Sequence, residues 1–75
     1  MMYFQEKRWS TKVLRDMLWA CGFRPVPSAL ARWSNVEWNL AGDWCYHELH
    51  PDEPLADKTL IGIPPVVQAL PRHGK

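Results

Sequence analysis

The chain has 75 residues, of which 47% are hydrophobic and 23% are charged, a balance typical of a globular rather than a disordered protein. Its length allows one small domain, and such a domain buries only about 60% of the surface that its unfolded chain exposes. No apolar run reaches the roughly 20 residues of a membrane span, and the first ten residues lack the apolar core of a signal peptide. We therefore expect a cytoplasmic protein that does not interact with a membrane.

The charge distribution and the number of cysteines restrict the possible partners and disulfides. Residues 1–33 carry six basic and two acidic side chains, whereas residues 34–75 carry three basic and six acidic ones. The basic half can attract an anionic partner, or the two halves can pair with each other. Cys21 and Cys45 are the only cysteines, too few for a disulfide scaffold, so we expect two buried thiols.

The first predicted helix spans residues 10–21. Ser10 is a suitable N-cap, Trp9 and Leu14 occupy the positions of a hydrophobic staple, and Gly22 is a natural stop signal. Apolar residues recur at helical spacing within this range and are expected to form its buried face. They are Val13, Leu14, Met17, Leu18 and Cys21.

The second strong helix signal begins at Ser34. After an extended connector at residues 24–27 and a short helical turn at residues 28–33, Ser34 and Glu37 form a capping-box pattern, with Trp33 and Trp38 as the staple pair. A helix is predicted over residues 35–49, before Pro51. Its apolar arc covers roughly 180–200° of the circumference, wider than the arc of an ordinary surface helix. It therefore either packs centrally or keeps part of this face for another molecule.

The remainder of the chain is rich in proline. Residues 59–63 form a short extended apolar run, and the prolines at 64 and 65 can start a last helical turn over residues 66–70. The predicted fold is mostly α: one small helical domain over residues 1–71 with an irregular proline-rich tail and a frayed end at residues 72–75. The alternative is a minimal α+β fold in which residues 3–7 pair with residues 59–63.

The sequence offers little support for catalysis or metal binding. Cys45 and His47 point in nearly opposite directions on a helix, so they are not expected to share a zinc ion, and the spacing matches no zinc motif. Asp43, His47 and His50 share the polar face, where we expect solvated side chains rather than a metal-binding or pH-sensitive patch. No catalytic motif, phosphate loop or cofactor signature is present. We expect no enzymatic activity, no cofactor, no metal and no small-molecule substrate.

Five tryptophans are many for so small a core, and tryptophan is enriched at binding hot spots. Trp19 lies between the apolar and polar faces of the first helix, and Trp38 and Trp44 lie on the wide apolar arc of the second. We expect a protein-binding module that contacts a host protein or a second copy of itself through exposed aromatic surface. The predicted contact residues are Trp19, Trp38, Trp44 and Arg15.

Nucleic-acid binding is the less favoured alternative. Residues 11–33 can be drawn as a helix-turn-helix, whose positive charge suits phosphate. The two prolines at positions 25 and 27 stretch the turn, however, and the second helix carries few side chains able to read bases. The candidate contact residues are Lys12, Arg15, Arg24 and Arg32.

The segment 37–50, with the sequence EWNLAGDWCYHELH, resembles small proteins of phages that infect actinobacteria. Those proteins show a helix with a Glu, an Asp-Trp pair and a Glu-His-Leu element, followed by an extended proline-containing tail. Here Asp43-Trp44 matches, whereas the order at residues 47–50 is His-Glu-Leu-His. The resemblance implies an accessory phage product that binds a host protein in the host cytoplasm; it assigns no functional residue.

Overall fold

The computed structural model describes residues 6–53 and 62–72, which form four helices in the order α1 (Thr11–Ala20), α2 (Pro27–Ala31), α3 (Asn35–Leu49) and α4 (Pro65–Gln68). The described part of the chain contains no β-strand, only an isolated antiparallel bridge between Phe23 and Arg72. The mostly helical fold is therefore confirmed. The alternative strand pairing requires residues that lie outside the described ranges.

The ends of α1 follow from the residues that flank it. The Ser10 hydroxyl accepts a hydrogen bond from the backbone N–H of Val13 at 3.2 Å. At the other end Gly22 has a φ of +98°, a left-handed conformation that glycine adopts without strain. The chain then turns back, and the Phe23 N–H donates to the Leu18 carbonyl at 2.9 Å. Both predicted boundary signals thus operate, although Val13 proves 44% exposed and does not join the buried face.

Helix α3 begins at the predicted capping box. The Ser34 hydroxyl accepts from the Glu37 N–H at 3.2 Å, and the Glu37 carboxylate accepts from the Ser34 N–H at 2.9 Å. The staple pair is also formed, because the rings of Trp33 and Trp38 meet edge to face with centroids 6.1 Å apart. These local interactions fix both the start of the helix and the direction from which α2 enters it.

The core is built around α3. Helix α1 packs against it, α4 packs elsewhere along it, and Leu30 of α2 joins the same cluster. Most of the wide apolar arc is thus covered within the monomer, the first of the two outcomes left open by the sequence, although Leu49 remains 37% exposed. The remaining core residues outside α3 are Leu14, Met17, Leu18, Phe23, Val67 and Leu70.

The end of the described chain is tied to the α1–α2 connector. The Arg24 N–H donates to the Pro71 carbonyl at 2.8 Å, and the Arg72 guanidinium lies 4.5 Å from the centroid of the Phe23 ring. Placing Arg72 in a frayed end is therefore wrong, because backbone pairing and a cation–π contact hold it. Residues 73–75 lie outside the described ranges.

Candidate functional site

The tryptophans differ sharply in exposure. Trp38 is 2% and Trp44 is 6% exposed, whereas Trp19 is 56% exposed. Trp44 meets Phe23 edge to face at 5.9 Å, and the Trp38 indole N–H donates to the Trp9 carbonyl at 2.7 Å. The prediction that Trp38 and Trp44 form exposed contact surface is therefore wrong; both are core residues. Of the three predicted contact tryptophans, only Trp19 is available to a partner.

An arginine holds the exposed Trp19 ring in place. The Arg24 guanidinium carbon lies 3.7 Å from the ring centroid, and its Nη1 donates to the carbonyls of Trp19 at 3.2 Å and Phe23 at 2.9 Å. This combination of a cation–π contact and two backbone hydrogen bonds restrains both side chains before any partner arrives. Restrained contact residues lose less conformational entropy on binding.

Trp19 ends a row of side chains along one side of α1. Thr11, Arg15 and Trp19 follow one another at i, i+4 spacing, which places them on adjacent turns of the helix; we call them the α1 row. Asp16, the only acidic residue of α1, pairs with Lys12 at 3.0 Å. Within the described part of the chain Arg15 forms no ion pair. The row therefore presents a positive charge beside an apolar ring.

A cleft opens at the N-terminal end of the α1 row. Its volume is about 190 Å³, and it lies between α1, α2 and the segment that precedes α1. The polar groups around it come from two cations and a hydroxyl, and no acidic side chain lines it. The lining residues are Lys7, Thr11, Arg15, Pro27, Leu30, Ala31 and Trp38.

The four basic residues of the nucleic-acid alternative have different surroundings in the structure. Lys12 is engaged by Asp16, and Arg24 lies over Trp19. Arg15 lines the cleft, and Arg32 caps the C-terminal end of α2. Helix α2 has only five residues, little more than one turn, so it is short for a helix that must lie along a DNA groove.

Part of the polar face of α3 is covered rather than solvated, although His50 near its C-terminal end is exposed as predicted. Asn39 is only 2% exposed; its Oδ1 accepts from the Arg8 backbone N–H at 2.7 Å, and its Nδ2 donates to the Glu6 carbonyl at 2.8 Å. Asp43 pairs with the Arg8 guanidinium and accepts from the Trp9 indole N–H at 3.0 Å. The segment at residues 6–9 thus covers this face of α3.

The two histidines of the same face do not join Asp43 in a metal site. His50 stacks on Tyr46 with centroids 4.2 Å apart, and its Nδ1 lies 3.0 Å from the Tyr46 carbonyl. Over residues 6–53 and 62–72, no three His, Cys, Asp or Glu side chains are grouped so that they could hold a metal ion. Asp43 is instead occupied by Arg8 and Trp9.

The two cysteines are free thiols in the described structure, Cys45 buried and Cys21 half-buried. Burial raises the pKa of the Cys45 thiol strongly, and the nearby charges of Cys21 and Glu48 act in the same direction. Burial also raises the pKa of Cys21, opposed by its hydrogen bond with Cys45. A raised thiol pKa disfavours the thiolate, which is the reactive form of cysteine.

Comparisons with protein families, curated proteins and solved structures found no match to this chain. Within residues 6–53 and 62–72, none of the helices has the length and apolar character needed to cross a membrane.

Proposed function

We propose that this chain is a non-enzymatic protein-binding module whose contact surface is the α1 row together with Arg24. The observation that carries the proposal is the exposure of Trp19, at 56%, in a chain that buries both tryptophans of α3. Tryptophan and arginine are among the side chains most enriched at binding hot spots.

The charge around Trp19 defines the kind of partner. Arg24 lies over the ring, and Arg15 precedes Trp19 by one turn of α1, so the complementary surface is an apolar pocket with carboxylates at its rim. The resemblance of residues 37–50 to phage proteins supports a host protein of the cytoplasm as that partner, with self-association through the same surface as the second form of the proposal.

The test compares the wild-type chain with Trp19→Ala in two measurements: capture of protein from a host lysate, and sedimentation velocity of the pure chain. We expect Trp19→Ala to weaken the complex or the self-association at least about 30-fold, as for a hot-spot residue. The matched control is Val36→Ala, which truncates another exposed apolar side chain, 57% exposed, on a different helix and should change neither measurement.

Two results would overturn the proposal. One is equal binding and equal oligomeric state of the wild type and the Trp19→Ala variant. The other is recovery of nucleic acid alone, with an affinity that falls log-linearly and steeply with salt, because that dependence is typical of phosphate contacts rather than of an aromatic protein interface.

A further inference from the structure

We propose that the cleft between α1 and α2 binds the C-terminal residue of a partner polypeptide, an apolar side chain next to a free carboxylate. This inference rests on the proposed function and deepens it, because the cleft continues the α1 row: Thr11 and Arg15 belong to both. It assigns to the partner a chain terminus that docks about one helical turn from the Trp19 contact.

The lining of the cleft indicates this chemistry. The apolar part of its lining comes from Pro27, Leu30, Ala31 and Trp38. The polar part comes from Lys7, Arg15 and the hydroxyl of Thr11, all of which can donate hydrogen bonds to a carboxylate. A ligand that satisfies both parts must carry an apolar group and an anion on neighbouring atoms.

Size and charge restrict the ligand further. A volume of about 190 Å³ is below that of pockets for drug-sized molecules, roughly 300 Å³ or more, and suits a single residue. An aspartate or glutamate side chain supplies the charge but leaves the apolar lining uncovered. A C-terminal aliphatic residue supplies both groups at once, which is why we assign the site to a chain terminus.

The two cations are poised for an anion. The Lys7 Nζ lies 4.1 Å from the centroid of the Trp38 ring, so the ammonium group lies over one of the apolar side chains that line the cleft. Neither Lys7 nor Arg15 forms an ion pair within residues 6–53 and 62–72. A carboxylate entering the cleft meets two positive charges without displacing an internal partner, so its binding breaks no existing ion pair of the described chain.

The probe is acetylglycylleucine with a free carboxylate, titrated into the ¹⁵N-labelled full chain and followed by NMR. We expect a dissociation constant on the order of 1 mM. Shifts should localise to Thr11, Arg15, Leu30 and the Trp38 indole N–H, whose hydrogen bond to the Trp9 carbonyl keeps it observable. The same peptide with a C-terminal amide should bind at least about fivefold more weakly.

Two charge variants and one matched control locate the site. Lys7→Gln and Arg15→Gln should each weaken the free-acid peptide about fivefold. Arg32→Gln removes the same charge from the end of α2 but does not line the cleft, and it should leave the affinity unchanged. The Trp19→Ala variant should also bind the peptide normally. The proposal for the cleft and the proposal for the Trp19 interface can therefore be refuted independently.

Three outcomes would overturn the inference. The first is equal affinity for the acid and the amide, which would mean that the cations do not recognise the ligand. The second is the absence of shifts at these residues up to about 20 mM peptide, well above the expected dissociation constant. The third is tighter binding of 4-methylpentanoate than of the peptide, which would identify a site for small free acids instead of a chain terminus.

Discussion

Replacing Gly42 with alanine tests how the N-terminal segment is locked onto α3. A Cβ atom at Gly42 would overlap the Cδ1 and Nε1 atoms of Trp9. The Trp9 indole cannot shift freely, because its N–H donates to Asp43. In addition, the Trp9 carbonyl accepts from the Trp38 indole N–H. Gly42→Ala must therefore displace a residue that is held through both its ring and its backbone.

Gly42→Ala has a stabilising and a destabilising effect on the free energy of unfolding, and the larger one decides the sign of the change. In an unobstructed helix interior, alanine is more stable than glycine by about 1 kcal/mol. Displacing Trp9 loses its hydrogen bond to Asp43, worth about 1 kcal/mol. It also loses the contact with Tyr46, whose ring centroid lies 5.7 Å away, and part of the burial of a large side chain, each worth on the order of 1 kcal/mol. We expect Gly42→Ala to lower the free energy of unfolding by about 2 kcal/mol.

The assay is urea unfolding followed by far-ultraviolet circular dichroism, which does not depend on the number of tryptophans. Four proteins are compared: wild type, Gly42→Ala, Trp9→Ala and the double variant. Where Trp9 is already alanine, the obstruction is gone and Gly42→Ala should stabilise by about 1 kcal/mol. The same sign in both backgrounds, or stabilisation of the wild type by Gly42→Ala, would refute the packing argument.

Further predictions concern a buried amide, a helix cap and a buried thiol. Asn39→Ala should lower the free energy of unfolding by about 2 kcal/mol, because two backbone groups lose their partner; a change below about 0.5 kcal/mol in urea unfolding would contradict this. Ser34→Ala should cost about 1 kcal/mol through loss of the α3 N-cap, whereas Ser28→Ala, at an exposed position of α2, should change stability by less than about 0.5 kcal/mol. The Cys45 thiol should resist an aromatic disulfide reagent at pH 8 in the folded chain but react on unfolding. Because burial raises its pKa in the folded state, the unfolded chain loses this proton first. Stability should therefore fall as pH rises above about 8.5, and Cys45→Ala should remove most of that fall, whereas an unchanged pH profile would count against the assignment.

The boundaries of the helices could be predicted because their signals are local. Ser10 and Gly22 delimit α1, and the Ser34–Glu37 box starts α3, each through hydrogen bonds that span only a few residues. Local interactions of this kind are encoded in short sequence patterns and survive whatever packs around them. The same holds for the Trp33–Trp38 staple.

The covering of the polar face of α3 could not be predicted in this way. The segment at residues 6–9 has no periodic pattern, and it is held by contacts to residues more than 28 positions away, such as Asn39 and Asp43. On a helical wheel these two side chains are indistinguishable from solvated ones. Only the fold reveals that Asn39 acts as a partner for the backbone of another segment.

The location of the binding surface could not be predicted for the same reason, because it is set by tertiary contacts and not by local sequence patterns. A wide apolar arc predicts that a helix needs cover, but not whether the cover comes from the same chain; here α1, α4 and Leu30 provide it. The apolar face of a central helix is thereby covered and cannot contact a partner. An outer helix such as α1 packs along one side and leaves the other side free. Trp19 stands on that free side, and the core is closed without it. Substitutions at Trp19 therefore separate binding from folding, which substitutions at Trp38 or Trp44 cannot do.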